Sequence, residues 1–299
     1  MRFLTGLKDN RSFVGVLNEQ LSTIIDLQLA EKALLGTNTI PDTLIECLNQ
    51  EILLDTVKEI DRLTTNDSSY CYPLDEVQIQ APIPRPAKNI FCVGKNYAEH
   101  AIEMGSEADI PEHLMLFTKA PTSVIGPNGT ILLHEGVTSQ LDYEGELAVV
   151  IGKKGRAIKK EEALDYVFGY TILNDVTARD LQSRHKQFFI GKSLDASCPM
   201  GPFIAHKSLI ANPNQLNLQT KVNDEIRQTG NTSQFIFDIE TVISTISAGM
   251  TLEPGDIIAT GTPAGVGKGF KPPRFLKNGD VIEITIEGLG TLTNKVGVN

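Results

Sequence analysis

Apolar positions along this chain gather into short runs bounded by Gly, Pro, Asn and Asp, a pattern that predicts strands more than long helices. Beyond residue 81 the runs are 89–93 (Asn-Ile-Phe-Cys-Val), 147–151 (Leu-Ala-Val-Val-Ile), 257–260 (Ile-Ile-Ala-Thr) and 281–286 (Val-Ile-Glu-Ile-Thr-Ile). The 147–151 run is continuous in apolar residues, which predicts a strand covered on both faces. Helical spacing is sparse there; it is carried by 160–167 and by 239–247, the latter stopping near Gly249 as a helix C-terminus should. Before residue 72, two strand-like pieces (13–17 and 23–27) precede a helical pattern over 44–57. The segment Ala81-Pro-Ile-Pro-Arg-Pro-Ala87 lies between the two parts. Its fixed φ angles and missing donors favour an extended connector. The expected fold is α+β and strand-dominated, with a small N-terminal α+β cap domain over 1–80 and a larger domain over 81–299.

Within the larger part, Glu144 and Glu146 stand one residue apart at the head of the apolar run, and a period of two aims both at one face. Such a pair is ordinarily the solvent face of an antiparallel sheet. Here the run that follows implies burial, and buried acids need a counter-charge. Asp175 closes another apolar run, 167–175, and offers a third carboxylate. Three hard oxygen donors with no soft ligand suit magnesium, manganese or calcium, with positions left open for water and substrate.

The stretch Gly94-Lys-Asn-Tyr-Ala-Glu-His-Ala-Ile-Glu-Met-Gly105 leaves a strand and enters a helical turn, so His100 and Glu103 are neighbours on one face. Alone, this spacing is ordinarily a surface pair; as a site it is a general base whose imidazolium the carboxylate stabilises. The polar residues 106–113 that follow are long enough to form a lid. His113 and His134 have no partner in sequence. A divalent cation held by three carboxylates keeps about one negative charge, which repels an anionic substrate. Arg179, Lys192 and Lys119 are the candidate compensating charges, although each by itself is ordinarily a surface charge, and Gln182 is a neutral donor one turn past Arg179. The segment Gly261-Thr-Pro-Ala-Gly-Val-Gly-Lys-Gly269 lacks phosphate-loop spacing and no helical pattern follows it. Its backbone donors and Thr262 form either a nest for a carboxylate or a plain tight loop.

Composition narrows the class. The 299 residues are 41% hydrophobic, enough for a packed core in one large or two ordinary domains. No apolar run has the length of a membrane span, and the N-terminus lacks the pattern of a secretion signal, so a cytoplasmic location is expected. Cys47, Cys71, Cys92 and Cys198 are scattered without a Cys-x-x-Cys pair, which argues against a disulfide framework or a thiolate zinc site. A net charge of −10 with no basic, aromatic-interleaved cluster argues against nucleic acid as a partner.

Five motifs occur in order: Gly94-Lys-Asn-Tyr97 with His100 and Glu103; Asp142-Tyr-Glu-Gly-Glu-Leu-Ala-Val-Val-Ile-Gly152; Asn174-Asp-Val-Thr-Ala-Arg-Asp180; Gly191-Lys-Ser193; and Gly255-Asp-Ile-Ile-Ala-Thr-Gly-Thr-Pro-Ala-Gly-Val-Gly267. From about Pro82 to the C-terminus the chain thereby resembles the fumarylacetoacetate hydrolase family. The resemblance implies a mixed β-sheet roll, usually a homodimer, that binds Mg2+ or Mn2+ through Glu144, Glu146 and Asp175. It implies a His100–Glu103 catalytic dyad on a mobile lid and Lys192 stabilising an enolate. Arg179, Gln182 and Thr262 then face the substrate, with Lys119 as a further contact. Family members act on small 2-oxo acids: they hydrolyse acylpyruvates, decarboxylate oxaloacetate or shift double bonds in dienoic diacids. The long N-terminal cap, the Gly94-Lys-Asn-Tyr97 form of the lid motif and Glu112-His113 ahead of 114–117 look most like the bacterial oxaloacetate-decarboxylating branch. The expected reaction is therefore cleavage of the C3–C4 bond of oxaloacetate to pyruvate and CO2. An acylpyruvate hydrolase and a dienedioate isomerase are the alternatives within the family, and a binding or scaffold protein with a ligand-sensing site is the alternative of another class. The chain departs from the family at Asn223-Asp224, often Asn-Gly, and at Lys119-Ala120, often Lys-Pro; both affect loop shape and neither touches a metal ligand.

Overall fold

The computed structural model describes residues 1–18, 22–50, 53–65 and 68–298. The apolar run read as a doubly covered strand is Gly145–Ile151, buried along its whole length. Leu147, Val149 and Ile151 enter one core while Ala148 and Val150 enter another on the opposite face. That two-sided burial is why the sequence shows no polar alternation here. Each such Leu, Val or Ile contributes about 1.5–3 kcal/mol relative to exposure.

On one side this strand pairs antiparallel with Val167–Asn174, which pairs with Cys198–His206. Cys198–His206 in turn receives Arg2–Lys8, followed by Arg11–Asn18, Thr23–Asp26 and Cys71–Pro73. On the other side Gly145–Ile151 pairs with Ile257–Ala259, which runs parallel to Ile90–Gly94, and that strand pairs with Met115–Lys119. The N-terminal strands therefore extend the same mixed sheet that carries the acids. A second, five-stranded sheet contains Thr130–Leu132, Asn217–Val222, Glu225–Asn231, Val281–Ile286 and Gly290–Gly297. Its Leu218, Ile282, Ile284 and Ile286 share the core with Leu147 and Val149 of the first sheet. The molecule is mixed α+β and strand-dominated.

The helix expected at 239–247 is Ile239–Ser247, started by Asp238, whose side chain accepts from the Thr241 N–H at 2.8 Å. Lys160–Tyr166 instead forms a 3-10 helix with no side-chain cap. The pattern over 44–57 yields Leu44–Cys47 and Leu53–Leu63, and residues 51 and 52 lie outside the described residues. After the first piece, the Asn49 amide turns back to the Ile45 carbonyl (3.0 Å), a local bond that competes with the helical ladder. Among the described residues no helix is long and apolar enough to cross a membrane. All four cysteines are free.

Candidate functional site

The antiparallel register assembles the acids. Gly145 pairs with Asn174, so the residues just outside that last pair, Glu144 and Asp175, meet where the two strands end. Asp175 N–H donates to Glu144 O (2.9 Å), and Glu144 N–H donates to Asn174 Oδ1 (3.0 Å). Glu146, two residues on, points to the same place, and ligand atoms of Glu144, Glu146 and Asp175 lie within 4.8 Å of one another. All three side chains are buried.

Buried cations surround them. Lys192 Nζ contacts Glu144 Oε2 at 2.7 Å and Asp175 Oδ2 at 2.8 Å. Arg179 bridges Glu144 Oε1 (2.7 Å, through Nη2) and Asp142 Oδ2 (2.8 Å, through Nε). Lys119, with no exposed surface, stands 2.8 Å from Asp175 Oδ1 and donates to the carbonyls of Val176 and Lys192. Burial pushes the Glu144 carboxyl upward, but Lys192 and Arg179 outweigh it and hold it at about 2. Among the described residues Glu146 has no such cation in contact. Burial first, then Asp175 and Glu144, pushes its carboxyl well above the usual range, and the Gly261 N–H donates to it at 2.7 Å.

This donor set fits a hard divalent cation. Among the described residues Glu146 is a buried acid with no cation in contact, and its carboxylate converges with those of Glu144 and Asp175. The buried acids Asp142, Glu144, Glu146 and Asp175 outnumber Lys119, Arg179 and Lys192 by one formal charge. A divalent ion turns that balance positive and favours an anionic ligand.

The helix Ala98–Met104 closes over the acids. His100 Nδ1 is 3.3 Å from Glu103 Oε2, and Glu103 Oε1 accepts from the Gly265 N–H at 2.9 Å. Just before this helix, Asn96 donates to Thr260 O (2.8 Å) and Phe237 O (3.1 Å) and accepts from the Phe237 N–H (2.8 Å). The approach is close at Gly261, where φ is +100° and a Cβ would lie 2.7 Å from Asn96 Cβ.

A cavity of about 370 Å³ connects these groups. Its wall includes His100, Glu144, Glu146, Arg179, Gln182, Lys192 and Thr262. Of the other predicted residues, Glu103 stands behind His100, Asp175 lies beneath Lys192, and Lys119 is enclosed behind Asp175, off the cavity wall. The Thr262 hydroxyl donates to Gly145 O (2.9 Å) and accepts from Gln228 Nε2 (2.7 Å), tying the Gly-rich loop to the strand of acids. His113 is exposed, and His134 Nε2 contacts Asp195 O (2.8 Å) away from the cavity wall.

Sequence reasoning passed over two groups. Asp142 opens the Asp142-Tyr-Glu-Gly-Glu motif. Its Oδ1 accepts from the N–H groups of Tyr143 (2.9 Å) and Gly267 (2.7 Å), and its Oδ2 accepts from Arg179 Nε and from the Lys268 N–H (3.0 Å). Its place beside the paired acids was the available signal. Lys268 lies within the glycine-rich segment, whose sequence invites only a phosphate-loop comparison, yet its side chain lines the cavity.

Residues 89–297 match the family model for the fumarylacetoacetate (FAA) hydrolase C-terminal domain. The chain is 58% identical over 302 residues to oxaloacetate tautomerase YisK of Bacillus subtilis (strain 168), covering 99% of this chain and 100% of that protein. Among solved structures, it is similar to a fumarylacetoacetate hydrolase of psychrophilic Exiguobacterium antarcticum, with 43% identity, a TM-score of 0.82 and complete coverage of both chains. It is also similar to a 2-hydroxyhepta-2,4-diene-1,7-dioate isomerase of Mycobacterium marinum, with 33% identity, a TM-score of 0.74 and coverage of 100% of this chain and 99% of that one.

Proposed function

Because the chain belongs to the fumarylacetoacetate hydrolase family and is an enzyme, we propose that it catalyses metal-dependent proton transfer at C3 of a 2-oxo diacid, interconverting the keto and enol forms of oxaloacetate. The observation that carries this reading is that His100, backed by Glu103, faces the same cavity as the three converging carboxylates. The 58% identity to a protein named as an oxaloacetate tautomerase supports the choice of substrate. Glu144, Glu146 and Asp175 hold Mg2+ or Mn2+, which when bound supplies Lewis-acid polarisation of the keto group.

The remaining work belongs to side chains. His100 takes a proton from C3 and returns it, while Glu103 orients the ring and stabilises the imidazolium. The Lys192 ammonium faces the oxygen on which negative charge develops, and its contacts with Glu144 and Asp175 preorganise it. Arg179 and Gln182 hold the substrate in register, Arg179 Nη1 donating to Gln182 Oε1 at 3.3 Å. Met104, Phe117 and Phe188 supply an apolar part of the wall and limit water around the reacting carbon.

The decarboxylation expected from sequence is a second reading, since loss of CO2 from C4 leaves the enolate of pyruvate, whose charge develops on the same C2 oxygen that Lys192 faces. Its support is the edge-on Phe117–Phe188 pair (5.4 Å between centroids), an apolar surface against which a carboxylate loses solvation. In this proposal the protein works as a homodimer, and residues 1–80 form a cap built onto the catalytic sheet.

The test follows oxaloacetate enol absorbance and pyruvate release in parallel, with Mn2+ or Mg2+ added. Wild-type protein should accelerate enol–keto exchange well beyond pyruvate formation. Glu144→Ala should abolish exchange, and His100→Gln should lower its rate about 10²–10⁴-fold. Pyruvate release that keeps pace with exchange moves the assignment to the decarboxylase. A Glu144→Ala protein as active as wild type removes the site altogether.

A further inference from the structure

Five cationic side chains line the cavity: Lys95, Arg179, Lys186, Lys192 and Lys268. Three of them have acidic partners. Lys95 Nζ is 2.9 Å from Asp109, Arg179 is held by Asp142 and Glu144, and Lys192 by Glu144 and Asp175. The side chains of Lys186 and Lys268 form no ion pair with the described residues. Lys186 sits on the exposed rim, whereas Lys268 is half-buried.

Lys268 is placed by its backbone. Its N–H donates to Asp142 Oδ2, the oxygen that also accepts from Arg179 Nε, while Gly267 N–H and Tyr143 N–H occupy Oδ1. The carboxylate that its backbone touches is thus fully engaged, and among the described residues the ammonium has no ion-pair partner. Burial, then the neighbouring Arg179, holds the Lys268 amine below its ordinary range, and Asp142 offsets this only in part. A half-buried cation beside a second cation is disfavoured unless an anion arrives, and the cavity is where one can. The guanidinium of Arg179 spans the gap between Glu144 and Asp142. Lys268 is anchored at the Asp142 end, on the far side of the Arg179 guanidinium from Glu144.

We infer that Lys268 recognises the far carboxylate of the substrate and so selects 2-oxo diacids over 2-oxo monoacids. This rests on the reading above, in which the keto end of the substrate meets the cation held by the acid cluster. Lys268 is a specificity residue that touches substrate and takes no part in the proton transfer. The Asp142 bond comes from its backbone, so side-chain replacement leaves the loop anchored.

The experiment compares oxaloacetate with its 4-methyl ester, which lacks the far charge, in wild type, Lys268→Met and Lys268→Arg; the greater C3 acidity of the ester is common to all three proteins and cancels when their substrate ratios are compared. Oxalate, which mimics the near end alone, serves as the inhibitor. For wild type, the ratio of kcat/KM for C3 exchange with oxaloacetate to that with the ester sets the reference. Lys268→Met should lower that ratio at least about tenfold through the KM for oxaloacetate, with ester turnover and oxalate inhibition unchanged; Lys268→Arg should restore most of it. An unchanged ratio in Lys268→Met overturns the inference, as does an equal loss on the ester or weakened oxalate inhibition. If wild-type protein exchanges neither compound, the proposed function fails while the inference does not. In that event calorimetric binding of the same pair decides it: a diacid preference in wild type that Lys268→Met erases supports Lys268, and no preference or an unaltered one refutes it.

Discussion

At the scale of single residues, the clearest consequences come from side chains whose surroundings shift their proton affinity. His206 is an example outside the cavity. Burial, followed by the N-terminal amine, Lys207 and Lys58, lowers its pKa from 6.5 to about 4. Between these values the unfolded chain binds a proton that the folded chain refuses, so the stability contribution is complete above 6.5 and declines as pH falls towards about 4. Urea unfolding midpoints for wild type should therefore drop between pH of about 7 and about 4.5, and the drop should be smaller in His206→Gln. A variant as pH-sensitive as wild type would assign the loss to other groups. The converging acids were legible as residues because the Glu144–Glu146 spacing of two survives translation into a strand end and Asp175 closes the neighbouring strand's apolar run. Asp142 was not, since its role depends on N–H groups of Gly267 and Lys268, 125 and 126 positions away.

Elements carry the next level of control. The glycine-rich loop matters through its backbone: Gly265 N–H holds Glu103, Gly261 N–H holds Glu146, and Gly267 N–H holds Asp142. Gly265 has φ +105°, and a Cβ there would lie 1.9 Å from Arg227 O. Gly265→Ala should displace the loop, release Glu103 and lower kcat by about tenfold or more, with the far-ultraviolet circular dichroism retained. Gly249→Ala, where a Cβ meets nothing within 4 Å, is the control and should be neutral. Equal activity in both variants would show that the latch between loop and helix is dispensable. The strands read from sequence, including 281–286 and the heart of 145–151, have strong local signals: β-branched residues with turn formers on either side. The 3-10 geometry of Lys160–Tyr166 lacked one, because its apolar spacing suits either helix type and its conformation forms against Ile239–Ser247.

For the whole molecule, the dominant expectation is linkage between cation binding and stability. The site brings more buried negative than positive charge together, so a bound divalent ion stabilises the folded state by about 2.7 kcal/mol at a hundredfold excess over its Kd. Dialysis against a chelator should lower Tm, and Mn2+ or Mg2+ should restore it. Glu146→Gln should lose most of that response, because it removes the acid with no cation in contact. Identical Tm values with and without either ion would argue against a resident metal.

The sequence by itself determined the strand-dominated α+β class, the carboxylate trio, the His100–Glu103 pair and the family, since these depend on local periodicity and on motifs in fixed order. Only the tertiary structure decided which charges meet. It joined the N-terminal strands to the catalytic sheet, enclosed Lys119 behind Asp175, gave Asp142 its backbone donors and left the Lys268 side chain with no ion-pair partner among the described residues at the cavity wall. The physical reason is range: hydrophobic periodicity is set within a few residues, whereas ion pairing and desolvation depend on groups that only folding brings within a few ångströms.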